Sequence, residues 1–256
     1  YKMIRVGWGT MNGMATFLIM AITAALYLGI GDRNNWAYVL SAFVFGLTLL
    51  ITMSRGNLLF GAVIIPVAYI FALIRTPYKK SMLAATGCLF VLLAVFVICF
   101  RSEIVELFSH MFSYGVDDNG RFPLWEQAWQ RFLDNPVFGC GFTGDDGGQY
   151  PGNLWCVHST PLQILSSAGI VGVLGFSVFY YQRYRTLLKK ISVFKFFAFL
   201  VVAAYELYGL LDMSLFMLDQ ILFVFLFVGA AEKETEEMRQ PFRGAAPYHR
   251  KINKGV

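Results

Sequence analysis

Seven long apolar runs leave this chain few ways to fold. They cover Gly9–Ile30, Trp36–Met53, Leu58–Ile74, Ser81–Phe100, Pro161–Tyr181, Ile191–Leu211 and Met213–Ala231. A helix needs about 20 largely apolar residues to cross the hydrocarbon core of a bilayer. Within lipid, an open strand would leave its backbone groups without partners, so runs of this length predict helices. The last run is the least regular, because Asp219 and Gln220 interrupt it. Composition agrees: 14% of the residues are charged, against about 25% in soluble domains. The net charge of +5 arises in short basic loops and at the C-terminus, which is a membrane-topology pattern and not a nucleic-acid footprint. The chain opens Tyr1-Lys2-Met3 and reads as the C-terminal piece of a longer protein with further spans upstream.

Charge sets the expected orientation. The loops Arg75–Lys80 and Arg183–Lys190 hold seven Lys/Arg and no acid, so both are expected in the cytoplasm. The segment from Arg101 to Thr160 holds three arginines against eight acids and is expected outside. Alternation then carries Ser54-Arg55-Gly56 and Leu211–Gln220 to the outer face, and Asp32–Asn35 to the inner one. The expected fold is all-α: a polytopic transmembrane helical bundle with a long outer-face loop containing an amphipathic interfacial helix. Four spans fall in residues 1–100, the extracytoplasmic loop in 101–160, three spans in 161–231, and a disordered cytoplasmic tail in 232–256.

Within the loop, Phe122, Trp125, Trp129 and Phe132 recur at helical spacing and share one face, as in a helix lying on a membrane surface. Asn135-Pro136 ends that helix. Glycines 139, 141, 144, 147 and 148 then make a turn-rich connection whose backbone is expected to be open to a ligand. Cys88 and Cys99 lie in an apolar run as packing residues, whereas Cys140 and Cys156 can pair as a disulfide in an oxidising space.

Three residues can carry chemistry. Arg55 sits between two apolar runs, either snorkelling to headgroups or binding an anion through its guanidinium. Arg121 opens the loop helix, where a cation opposes the helix dipole; it is either a surface arginine paired with Asp117 or Asp118, or a partner for an anionic ligand. His158 stands before a span that Ser159 or Thr160 can cap and Pro161 can start. It is either an interfacial histidine or a general base. His110 reads as interface packing, and Asp117-Asp118 and Asp145-Asp146 lack further ligands at metal-binding spacing.

Together these pieces resemble the O-antigen ligase and polymerase family of bacterial envelope glycosyltransferases. Four ordered elements carry the resemblance between about Ser54 and Gly175. They are Ser54-Arg55-Gly56, Gly120-Arg121 with Trp125, the Asn-Pro-x-x-Gly-x-Gly at Asn135–Gly141, and His158 before a span bearing Gln163 and Gly169. Two positions depart from the family pattern: Ser159 stands where Asn is typical, and Ser167 where an acid is frequent. Acceptor recognition is therefore not carried over.

The resemblance implies a GT-C-like enzyme of the bacterial inner membrane, with its site facing outside. It would take a glycan from an undecaprenyl-diphosphate donor and pass it to a glycan, lipid or protein hydroxyl. Arg55 and Arg121 would bind the diphosphate, and His158 would orient or deprotonate the acceptor, with inversion at the anomeric carbon. Membrane lipids are the other implied partners; no nucleic acid, sugar nucleotide, cofactor or divalent metal is implied. A transporter or flippase of lipid-linked glycans is the rival class. It predicts charge lining a path at mid-membrane depth and inverted repeats, whereas the spans here are nearly free of central charge, with Glu206, Asp212 and Asp219 the exceptions toward the C-terminal end.

Overall fold

The computed structural model describes residues 11–113, 120–142, 156–212, 214 and 218–237. Nine helices and no strand occur among them: α1 (Met11–Leu28), α2 (Asn35–Ile51), α3 (Arg55–Arg75), α4 (Lys79–Cys99), α5 (Arg101–Ser113), α6 (Arg121–Asp134), α7 (Thr160–Leu188), α8 (Val193–Leu211) and α9 (Leu218–Glu237). Five of them, α1, α3, α4, α7 and α8, are long and apolar enough to cross a membrane. The 17-residue α2 is apolar but shorter, rising about 26 Å at 1.5 Å per residue. The chain is a multi-pass helical membrane bundle.

Burial sorts the helices into centre and periphery. α1 and α8 supply the heart of the core, with Ile19, Met20, Ile22, Phe197, Val201, Val202 and Tyr205 almost wholly enclosed. In α4 only Met82 is buried, and Phe90, Val91, Leu92 and Ile98 are open. Lipid solvates such a face at no cost, so it needs no protein partner.

Hydrogen bonds tie the helix ends into two groups. At one end Asn35, which starts α2, donates to Tyr78 O and accepts from Ser81 Oγ before and within α4. At the other end the start of α1 meets the start of α3 and the end of α8 through Asn12, Ser54 and Asp212. This grouping of Ser54, Asp212 and the His158 segment is the one alternation requires.

Helix extends beyond the expected elements in two places. Helix α9 continues to Glu237, through residues 232–237, which were expected to begin a disordered tail. Its end is anchored: Ser192 Oγ donates to Glu234 Oε2 at 2.8 Å, and buried Lys195 Nζ donates to Thr235 Oγ1 at 2.6 Å. Residues 101–113 also form a helix, α5, where the sequence predicted only loop.

Helix α7 is not the continuous span expected. At Gly169 the backbone leaves helical geometry (φ 61°, ψ −160°), freeing backbone groups that must find new partners inside an apolar body. The segment 136–141 supplies them. Cys140 N and Gly141 N donate to Ser166 O and Ser167 O at 2.9 Å, while Ile170 N and Val171 N donate to Pro136 O and Val137 O at 2.9 and 3.2 Å. The contact is backbone on backbone. A Cβ on Gly139 would lie 2.4 Å from Ser167 C, and one on Gly169 would lie 2.5 Å from Val137 C. The expectation that Gly139 leaves backbone open to a ligand is therefore corrected, because it is consumed in docking; Gly141 also spends its N–H on Ser167 O but stays exposed, and glycines 144, 147 and 148 lie outside the described residues.

Candidate active site

His158 is held by its neighbours on both sides. Val157, fully buried, donates its N–H to Gln163 Oε1 at 3.0 Å and accepts from Trp125 Nε1 at 3.1 Å. Gln163 in turn donates to Ser167 Oγ at 2.8 Å. Two helices thus clamp the residue before His158, and His158 itself takes a left-handed backbone with φ 53°. A side-chain-bearing residue pays about 1–3 kcal/mol for such a conformation, so the surroundings dictate where the ring points.

The ring meets an acid from the far end of the chain. His158 Nδ1 lies 3.0 Å from Asp212 Oδ1. Asp212 is buried at the end of α8 and is itself braced: its Oδ2 accepts from Tyr208 OH at 2.9 Å and from Asn12 Nδ2 at 3.4 Å. The carboxylate holds the Nδ1 proton and leaves Nε2 as the working nitrogen. Its hydrogen bond, followed by that of the Cys156 thiol, pushes the imidazole from 6.5 up to about 10.

Asn12 extends the arrangement to Arg55. Ser54, at the position just before α3, donates through Oγ to Asn12 Oδ1 at 2.9 Å. Asn57 donates to Ser54 Oγ at 3.0 Å and to Asn12 O at 2.9 Å, and accepts from Thr16 Oγ1 at 3.0 Å. A Cβ on Gly56 would stand 2.8 Å from Leu211 Cδ1, so the start of α3 abuts the end of α8 beside Asp212. Arg55, half-buried, is the first residue of α3 at this junction.

Arg121 arrives on another element. It is the half-buried first residue of α6, after Gly120. Trp125 lies one turn on, along the same stripe, and its indole reaches the carbonyl next to His158. The expected aromatic face of α6 divides. Trp125 and Ala128 turn toward the bundle, while Phe122, Trp129 and Leu133 are exposed. All four cysteines are free thiols, and Cys140 Sγ bonds Arg131 O at 3.2 Å. Asp117-Asp118, Asp145-Asp146 and the His110 side chain lie outside what is described.

The structure brings the neighbourhoods of Arg55, Arg121 and His158 to one end of the bundle, each on a separate helix start. Sequence reading missed Asp212, Asn12, Asn57 and Tyr208. The one signal for Asp212 was its position, an acid closing an apolar run on the same expected face as His158.

Residues 40–177, more than half of the chain, match the family model for O-antigen ligase. The chain belongs to the O-antigen ligase family. It is a multi-pass membrane glycosyltransferase of the ligase/polymerase type, and its context is the cell envelope. The matched region takes in Arg55, Arg121 and His158, whereas Asn12 and Asp212 lie on either side of it. No curated protein matches the chain.

Proposed function

We propose that this O-antigen ligase family member transfers or polymerises a glycan from an undecaprenyl-diphosphate donor onto an acceptor hydroxyl, at the outer face of the bacterial inner membrane. The observation that carries the reading is the 3.0 Å pair of His158 Nδ1 and buried Asp212, in a chain of that family. A histidine oriented by a buried carboxylate presents Nε2 as a strong base, since the carboxylate stabilises the imidazolium that forms. In the reaction the acceptor oxygen bonds the anomeric carbon from the face opposite the diphosphate, inverting it. The C–O bond to the diphosphate breaks, and the electron pair leaves with the phosphate. His158 takes the acceptor proton.

Arg55 and Arg121 hold the diphosphate. The leaving group gains negative charge as it departs, and fixed cations in a poorly solvated site stabilise that charge without reorganising. Guanidinium suits two adjacent phosphates because its planar fork binds their oxygens in pairs. The chemistry needs no cofactor and no metal, since leaving-group charge and acceptor proton both have protein partners. The expected domain division follows, with the region between α4 and α7 working outside the membrane and the exposed aromatic side of α6 resting on lipid. The acceptor is a glycan, lipid or protein hydroxyl.

The test is transfer in proteoliposomes supplied with lipid-linked donor. Arg55→Ala and Arg121→Ala should each lower the rate by about 10²–10³-fold while the proteins remain folded by thermal melting. Wild-type rates in both folded variants would end this assignment of the arginines.

A further inference from the structure

Cys156 carries no step of the proposed transfer, yet its side chain stands against the same imidazole. Cys156 Sγ, an imidazole nitrogen of His158 and a carboxylate oxygen of Asp212 all lie within 4.8 Å of one another. Ligands bound to a tetrahedral zinc ion at about 2.0–2.3 Å sit roughly 3.3–3.7 Å apart, so the three would adjust by up to about 1 Å to take up an ion. We propose that Cys156, His158 and Asp212 form a site for a zinc-class divalent cation, and that its binding switches off glycosyl transfer. The inhibitory half rests on the function proposed above; the binding half does not.

The donor set selects the class of ion. Magnesium and calcium take oxygen ligands, whereas a thiolate with an imidazole suits a borderline-soft ion such as zinc. Supporting contacts that orient ligands are present on both sides. Tyr208 OH and Asn12 Nδ2 occupy Oδ2 of Asp212, which turns Oδ1 toward His158. Val157 is clamped by Trp125 and Gln163, which fixes the backbone between Cys156 and His158. Such outer contacts hold ligands in place before an ion arrives. Three protein ligands leave a fourth position for water. The site is half-open, since Cys156 and His158 are both partly exposed while Asp212 is enclosed. An ion here would take the place of the proton shared by His158 and Asp212, so metal and acceptor would compete for one imidazole.

The test uses the purified full chain in nanodiscs with cobalt as the spectroscopic probe. Wild-type protein should show a thiolate-to-cobalt charge-transfer band that zinc abolishes by displacement. Cys140→Ser should keep the band, while Cys156→Ser should lose it and weaken binding roughly 10-fold or more. Persistence of the band in Cys156→Ser, or zinc failing to displace cobalt, would overturn the site. In the transfer assay, zinc should stop wild-type turnover and a chelator should restore it. Against its own zinc-free rate, Cys156→Ser should need roughly 10-fold more zinc for the same inhibition. Zinc-loaded wild type turning over at its full rate would overturn the inhibitory role. The band requires no turnover, so it reports on the metal site even if transfer fails to depend on His158.

Discussion

His158 derives its chemistry from a residue 54 positions away. Its own sequence context explains the turn and the helix start but offers no acid, so its strength as a base was not legible locally. Asp212 supplies the largest part of the upward push on the imidazole, to about 10. The sign of the pH dependence follows. The base form is the neutral ring, so the transfer rate should climb from neutral pH toward about 10 in wild type. Asp212→Asn removes the main support of the imidazolium, so the rising limb should shift down toward the ordinary value of 6.5. The maximal rate should also fall, because the amide no longer stabilises the imidazolium. A pH–rate profile of both proteins with a chelator present reads this, and an unmoved limb would show that Asp212 does not tune the base.

At the scale of elements, α7 is the instructive case. Hydropathy marked the span well, because lipid exposure constrains composition residue by residue. The break at Gly169 left no trace in hydropathy, since glycine is tolerated in apolar helices and the partner strand of chain lies some 30 residues earlier. The Asn-Pro-x-x-Gly-x-Gly stretch was visible as a turn, but its role in repairing the broken helix depends on four hydrogen bonds that only the fold reveals. Gly169→Ala should therefore cost about 3 kcal/mol or more, from a left-handed backbone and a Cβ driven into Val137. Gly175→Ala, in open space on the same helix, should be neutral or stabilising by up to about 1 kcal/mol. Thermal unfolding in detergent separates the two, and equal melting temperatures would refute the docking account.

Across the whole molecule, the site is an assembly of helix ends. Asn12 from α1, Ser54 and Asn57 around the start of α3, and Tyr208 and Asp212 around the end of α8 form one polar chain that ends on His158. The α6 helix joins through Trp125. Charge counting in the loops placed Arg55, Arg121 and His158 on one face before any contact was known, since sidedness is encoded in composition. It could not reveal the chain of side-chain amides and hydroxyls linking them, because Asn, Ser and Thr near span ends are common without such a role. The dyad at the end of that chain should act as a unit, so its members should not contribute independently. The decisive measurement is the transfer rate from lipid-linked donor by wild type, His158→Ala, Asp212→Ala and the double variant, each shown to be folded. His158→Ala should lose about 10²–10⁴-fold, and the double variant should be no slower than His158→Ala alone. Wild-type transfer by folded His158→Ala would mean that the chemistry happens elsewhere.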